Sequence, residues 1–201
     1  MNIHELKEKY SEHAAEIKAK LAEFENLREQ DYIYELFFCL LTPQSKAEKC
    51  WQAVQELKTC QIETEKTENC LKTKTRFYRN KTKYLIEANK NWNKIKEIIN
   101  SSRKPAEMRG ELVKQVKGLG MKEASHFLRN IGKSNNELAI LDRHILRKLV
   151  ELKIITTIPQ LNEKNYLLIE EKMKRFADNV GIELDELDLL FWKIESRRIF
   201  K

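Results

Sequence analysis

The chain has 201 residues with only 5 glycines and 3 prolines, which argues against an all-β sandwich or barrel because those folds need many turns. Its 38 basic and 31 acidic residues give a net charge of +7, which suits a nucleic-acid partner but also occurs in ordinary lysine-rich proteins. Hydrophobic residues make up 41% of the chain, enough for a packed core. No apolar run approaches the roughly 18 residues of a transmembrane helix, and the N-terminus does not resemble a signal peptide.

The N-terminal part of the sequence predicts three helices. Apolar residues recur every three or four positions over residues 3–27, which indicates a long amphipathic helix. Residues 32–41 are mostly apolar on all sides and predict a central buried helix. Thr42 and Pro43 end that helix. Because threonine can cap a helix and proline suits its first position, they also indicate the start of a further amphipathic helix, which includes residues 47–57.

The rest of the chain also follows a helical period. The polar residues 61–75 predict a loop or a short irregular helix, and residues 77–99 predict one longer helix. Pro105 marks the start of the next helix. Further helices are predicted around residues 121–131, 142–150, 166–180 and 184–194. The predicted fold class is therefore all-α.

Two glycines separate two of these helices, in the sequence Gly118-Leu119-Gly120. Glycine permits positive φ and a close approach of the backbone to a ligand. The amides that follow open a helix, and a helix N-terminus is an anion site suited to a DNA phosphate. Leu119 would pack between the helices of this hairpin, residues 112–131. A helix–helix turn with no ligand explains the same pattern.

Lys122 and Asp142 are the candidate chemical groups. Lys122 lies in the first turn after the glycines, where the positive end of the helix dipole disfavours a cation, and a neutral amine is the form that makes a Schiff base. The plainer interpretation is a solvated lysine near a phosphate. Asp142 precedes a helix, so it is a candidate N-cap worth about 1 kcal/mol. A carboxylate there could also stabilise a cationic sugar transition state. His144 is interpreted as structural.

The four cysteines, Cys39, Cys50, Cys60 and Cys70, do not indicate a metal site. Their spacing fits neither a zinc motif nor an iron–sulfur run. With no export signal they are expected to be reduced thiols.

Residues 117–132, KGLGMKEASHFLRNIG, and residues 140–146, ILDRHIL, closely resemble the archaeal-type (type 2) 8-oxoguanine DNA glycosylase/AP lyase family. That family is part of the helix-hairpin-helix, or endonuclease III-like, superfamily, and the resemblance covers nearly the whole chain. It implies a single glycosylase unit of two helical lobes with a lesion cleft between them. The central lobe would comprise residues 29–135, and the other would comprise residues 1–28 and 136–201.

The resemblance implies roles for the residues already singled out. Lys122 matches the family's nucleophile, which attacks C1′ and forms a Schiff base with the sugar. Asp142 matches the aspartate that assists activation of the nucleophile and stabilises oxocarbenium-like charge. β-Elimination then cleaves the strand. Gly118, Leu119 and Gly120 would hold the DNA backbone, often through a monovalent cation, and no other cofactor or metal is expected.

The resemblance also implies a lesion pocket. Phe77 and Trp192 match aromatic positions that hold the extruded base, and Lys201 matches the terminal lysine that helps recognise 8-oxoguanine. Packing in the core for the two aromatic residues and a frayed end for the lysine are the ordinary alternatives. Gln44 is the candidate wedge into the gap left by the base. No cysteine follows Cys70, so the iron–sulfur cluster of endonuclease III-type enzymes is not expected.

The expected partner is double-stranded DNA containing 8-oxoguanine, bound by a monomer in the cytoplasm, at the nucleoid, with no membrane involved. Two alternatives remain open. A non-catalytic helix-hairpin-helix DNA-binding module explains the charge and the hairpin but not the pairing of Lys122 with Asp142. A glycosylase for oxidised pyrimidines keeps the mechanism and changes the pocket.

Overall fold

The computed structural model describes residues 1–196 and 199–201, and every regular element in that part of the chain is helical. A 3-10 turn covers Glu29–Asp31. The predicted all-α class is confirmed. The helices are α1 Ile3–Glu25, α2 Tyr32–Leu41, α3 Ala47–Leu57, α4 Thr64–Leu71, α5 Tyr78–Lys90, α6 Trp92–Ile99, α7 Pro105–Gln115, α8 Met121–Asn130, α9 Arg143–Glu151, α10 Glu163–Val180 and α11 Leu184–Ser196.

The helices form two compact units. Residues 27–127 form one, and residues 1–26 together with 128–201 form the other. The second boundary falls inside α8. Within the described residues, no helix is long and apolar enough to cross a membrane.

Helix α2 lies at the centre of the unit formed by residues 27–127, where it packs against α3 and α5. Its side chains are buried except Ile33 and Tyr34, which are partly exposed, so the burial predicted from its all-round apolar sequence holds for most of the helix. The most deeply buried are Leu36, Phe37, Phe38, Cys39, Leu40 and Leu41, each no more than 1% exposed. Removal of this apolar surface from water is the main contribution to the stability of the unit.

Helix α11 has the same central place in the other unit, where it packs against α1, α9 and α10. Leu187, Leu190 and Phe191 are at most 1% exposed. Gly132 ends α8 with φ +67°, and a Cβ there would lie 2.7 Å from the Glu25 Cα. Glycine is therefore required where the chain leaves α8 beside the end of α1.

Three details differ from the sequence expectations. Residues 64–71 form a regular short helix, although the segment has too few apolar residues to show a clear period. The predicted helix over residues 77–99 is divided at Asn91, which ends α5 and precedes α6. Asparagine favours helix ends because its side chain competes for backbone hydrogen bonds. Pro43 lies in a turn before α3 and not in the first turn of that helix.

Candidate active site

The turn between α7 and α8 requires glycine at Gly118 for two reasons. Its φ is +84°, and a Cβ would lie 2.4 Å from the Tyr84 ring. The turn is closed by Leu119 N–H, which donates to the Val116 carbonyl at 3.2 Å. Leu119 is only 4% exposed, as expected for a residue that packs between the helices of the hairpin. The backbone therefore has a fixed course into the N-terminus of α8.

Lys122 is the second residue of α8, and its amine is partly exposed. Its Nζ lies 3.4 Å from Glu123 Oε1, and the two side chains are 23% and 17% exposed. Sequence patterns alone do not single out Glu123, although an acidic residue is common at the third position of a helix because it faces the positive end of the dipole. This carboxylate holds the amine at the start of α8, next to the glycine turn.

Asp142 is the N-cap of α9, so the predicted capping role is confirmed. Its backbone is extended, and its Oδ1 accepts hydrogen bonds from the N–H groups of His144 and Ile145, both at 2.8 Å. These two bonds fix the orientation of the carboxylate. Both use the same oxygen, so Oδ2 takes no part in the cap.

Trp192 is in contact with His144, a residue that the sequence suggested was structural. Their ring centroids are 5.2 Å apart and the planes are inclined by 50°. The His144 Nδ1 lies 3.3 Å from Glu195 Oε1, one turn further along α11. His144 thus links the N-terminus of α9, capped by Asp142, to the half-buried Trp192. No spacing in the sequence predicts this contact, because the two rings are far apart in the chain.

Gln44 and Phe77 both have left-handed backbone conformations, with φ of 55° and 56°. Such values cost a non-glycine residue about 1–3 kcal/mol and need support from the surrounding structure. Phe77 is 55% exposed, so the interpretation of this residue as part of the core is wrong. Gln44 is exposed at the third position of a turn that is closed by Ser45 N–H on the Thr42 carbonyl at 3.0 Å.

Lys81 provides that support and is a residue that the sequence interpretation missed. It is 4% exposed, and its Nζ donates to Leu41 O at 2.7 Å, Pro43 O at 2.8 Å and Ser45 Oγ at 2.9 Å. Burial is the largest cause that lowers the pKa of Lys81 to about 8. The sequence feature that could have indicated this role is the position of Lys81 four residues before Leu85, on the buried face of α5. A lysine is unusual on a buried face.

The predicted site residues belong to both compact units. Gly118, Leu119, Gly120, Lys122, Gln44 and Phe77 are in residues 27–127, and Asp142, Trp192 and Lys201 are in the other unit. Lys201 is partly buried and not fully exposed. Within the part of the chain that the structure describes, no group of three or more His, Cys, Asp or Glu side chains is placed to hold a metal ion.

Comparison with known proteins gives one consistent family. The family model for 8-oxoguanine DNA glycosylase matches residues 17–182. An 8-oxoguanine DNA glycosylase/AP lyase of Fusobacterium nucleatum is 45% identical over 212 aligned residues, covering 99% of this chain and 97% of that protein. A protein of the same name from Methanocaldococcus jannaschii is 37% identical and covers 89% of this chain and 86% of its own length.

A solved structure agrees with the sequence relatives. The crystal structure of the M. jannaschii 8-oxoguanine glycosylase/lyase, in complex with a 15mer DNA containing 8-oxoguanine, matches with a TM-score of 0.90 and 34% identity. The match covers 99% of each chain. Identity at this level over nearly the full length shows common descent in addition to a common fold. The chain therefore belongs to the 8-oxoguanine DNA glycosylase family.

Proposed function

We propose that this protein removes 8-oxoguanine from double-stranded DNA, as a monomer, and then cleaves the abasic strand. The observation that carries the proposal is the 45% identity, over nearly the full length of both proteins, with an 8-oxoguanine DNA glycosylase/AP lyase. A non-catalytic DNA-binding module would not be expected to keep this identity along with a lysine at the start of the hairpin's second helix. The net charge of +7 favours the DNA partner.

Lys122 is the proposed nucleophile. Its Nζ attacks C1′, the glycosidic bond breaks, and the base leaves with the bonding electrons. The resulting aminal opens to a Schiff base between the lysine and the sugar. Loss of a C2′ proton then expels the 3′ phosphate by β-elimination. The partial exposure of the Lys122 side chain supports this role, because a nucleophile must be reachable by the DNA.

Asp142 supplies negative charge for the oxocarbenium-like sugar in the transition state. The two hydrogen bonds to Oδ1 hold the carboxylate in one orientation, so little reorganisation is needed as positive charge develops. The capping role and the catalytic role are compatible, because the cap bonds leave Oδ2 for a second interaction.

The Gly118-Leu119-Gly120 turn would hold the DNA backbone. The amides at the N-terminus of α8 suit one phosphate, and the packing of Gly118 against the Tyr84 ring fixes the course of the turn that presents them. A monovalent cation would be held by backbone carbonyls of the same turn, which are neutral oxygen ligands of the kind that suit such ions. This cation would lie between the carbonyl oxygens of the hairpin and the DNA phosphate, and it would offset the negative charge of both.

Phe77, Trp192 and Lys201 would hold the extruded base, and Gln44 would fill the gap in the duplex. The 55% exposure of Phe77 supports its role, because a stacking residue needs an accessible ring face. Lys201 would offer its ammonium to the edge of a purine. Contacts of this kind offset the cost of unstacking the base.

Borohydride trapping on a labelled duplex with a single 8-oxoguanine tests the function and the nucleophile together. We expect a covalent adduct with the wild type and none with Lys122→Gln. Lys114→Gln is the matched control, because it removes an exposed lysine of α7 that pairs with Glu111, and it should still form the adduct. Undamaged DNA should give no adduct.

The other outcomes of the trapping experiment distinguish the alternatives. An adduct with a thymine-glycol duplex alone would assign the enzyme to oxidised pyrimidines and contradict the proposed substrate. No adduct on any duplex, including one with a preformed abasic site, would favour the non-catalytic module.

A further inference from the structure

Gln44 and Phe77 are exposed and have complementary proposed roles. Gln44 would fill the gap in the duplex, and Phe77 would stack on the extruded base. They lie on two segments that the buried ammonium of Lys81 connects. The segment 41–45 continues from the C-terminus of α2, and Phe77 is the residue before α5. More than thirty positions separate the two segments in sequence. Their relative position therefore depends on tertiary contacts between them.

Lys81 makes most of those contacts. Its three N–H donors have three oxygen acceptors in the other segment, Leu41 O, Pro43 O and Ser45 Oγ, all at 2.7–2.9 Å. Its own backbone N–H donates to the Phe77 carbonyl at 3.1 Å. One residue thus binds the backbone of Phe77 and the turn that presents Gln44.

A second bond joins the same two segments from the other side of Phe77. The Arg76 N–H donates to Ser45 Oγ at 3.0 Å, and Ser45 Oγ also accepts from Lys81. Phe77 is therefore anchored by the residue before it and by the helix after it. This arrangement explains how its left-handed backbone, with φ of 56°, is maintained while the ring remains exposed.

The acceptors of Lys81 are neutral oxygens, and this distinguishes the network from a structural ion pair. Leu41 O is at the negative end of the α2 dipole and also accepts from Cys50 Sγ at 3.2 Å. A buried ammonium is costly unless its donors are satisfied, and here each of the three N–H donors has an oxygen acceptor. An apolar side chain at this position would leave those oxygens without this donor.

We propose that Lys81 is a positioning residue that fixes Gln44 and Phe77 relative to each other, so that filling the gap in the duplex and stacking on the extruded base occur together. The proposal rests on the function and the roles of Gln44 and Phe77 proposed above. Lys81 itself is buried and does not touch DNA. Its effect is on base extrusion and on retention of the lesion, and not on the reaction of the lysine nucleophile.

Two substrates separate positioning from chemistry and from stability. Base release from an 8-oxoguanine duplex needs the base to be held in the pocket, whereas cleavage of a preformed abasic site has no base to stack. For Lys81→Met we expect single-turnover base release to fall at least about ten-fold, since one buried and two partly buried oxygens lose their donor, and abasic cleavage to stay within about three-fold. A 2-aminopurine placed beside the lesion should report reduced extrusion.

Ser45 variants provide a milder test if Lys81→Met does not fold. Ser45→Ala removes the oxygen shared by Lys81 and Arg76, so it should show the same split between the two substrates, and Ser45→Thr should restore base release because it keeps the hydroxyl. Lys83→Met is the matched control. It removes the same charge from the exposed side of α5 and should leave base release within about two-fold.

Three outcomes would overturn the inference while leaving the proposed function intact. They are base release at the wild-type rate in folded Lys81→Met, an equal fall on both substrates that follows the loss of thermal stability, and failure of Ser45→Thr to restore the activity lost in Ser45→Ala. Failure of the proposed function itself has a different signature, because the wild type would then release no 8-oxoguanine.

Discussion

The two compact units hold their candidate residues in different ways. In residues 27–127, Gln44 and Phe77 lie outside the helices with positive φ, and a buried lysine supports them. In the other unit, Asp142 is the N-cap of α9, and Trp192 lies within α11 in contact with the ring of His144. Local backbone hydrogen bonds set the main-chain conformation at Asp142 and Trp192, whereas the left-handed conformations of Gln44 and Phe77 depend on tertiary hydrogen bonds.

The largest expected effect is at Asp142, where a single substitution can remove the negative charge and keep the hydrogen bonds of the N-cap. Asparagine is as good an N-cap as aspartate, so Asp142→Asn should keep the thermal stability of the wild type. It removes the negative charge, and we expect single-turnover base release to fall about 10²–10³-fold. Base release and thermal unfolding are measured on the same preparations.

Asp142→Ala completes this test, because it removes the cap bonds as well and should lower the free energy of unfolding by about 1 kcal/mol. Native rates in Asp142→Asn would restrict this residue to its capping role and remove it from the proposed mechanism.

The glycine hairpin tests the dependence on close packing in the unit formed by residues 27–127. Gly118→Ala puts a methyl group at a φ of +84° and 2.4 Å from the Tyr84 ring, so we expect a loss of about 1–3 kcal/mol in the free energy of unfolding and weaker DNA binding. Gly110→Ala is the matched control, since Gly110 lies inside α7 with nothing within 4 Å of the added Cβ. That change should raise stability by up to about 1 kcal/mol.

Urea denaturation measures the two changes in the free energy of unfolding, which should have opposite signs. Binding of a duplex with an abasic analogue measures the affinity for DNA. If Gly118→Ala raised stability as Gly110→Ala does, the turn would not require glycine, and the close packing of Gly118 against the Tyr84 ring would not constrain it.

The sequence predicts what depends on local pattern and not what depends on distant partners. The N-cap at Asp142 and the hairpin at Gly118 follow from neighbouring residue types, and the structure has both features. The network of Lys81 joins atoms 36–40 positions apart, which no local spacing can show. The contact of His144 with Trp192 is of the same kind. The catalytic and lesion-binding roles themselves came from the family resemblance, and they stay predictions.

Loss of the ring contact of His144 should reduce base release less than Asp142→Asn does. Aromatic pairs contribute about 0.5–1.5 kcal/mol, so His144→Ala should lower kcat/KM for 8-oxoguanine release by about 2–12-fold. Since the ring supports Trp192 and not the nucleophile, cleavage of a preformed abasic site should change less. His144→Phe retains an aromatic ring and should recover much of the loss. Equal effects of both variants on both substrates would contradict this positioning of Trp192.

A separate test concerns stability and not activity, and it is the pH dependence that Lys81 imparts to the free energy of unfolding. Burial lowers its pKa to about 8 from the ordinary 10.5, with Arg76 acting in the same direction and Cys50 against it. Between these two values the unfolded chain binds more protons at this lysine than the folded chain, so stability rises with pH. The cost of burying the ammonium is fully present below pH 8 and is lost as the pH approaches 10.5.

Urea denaturation of the wild type and of Lys81→Met should therefore show a difference that shifts in favour of the lysine as the pH rises from 8 to 10.5. Both proteins should carry Cys50→Ala, because burial raises the pKa of that thiol to about 11 and its titration would otherwise overlap. A difference that stays constant would show that the folded protein leaves the pKa of this lysine at its ordinary value, and a difference that moves in favour of methionine would show that the folded protein raises that pKa. Either result would mean that the three hydrogen bonds to the ammonium offset or exceed the cost of its burial, so that tertiary support in this unit would carry no net penalty for the charge.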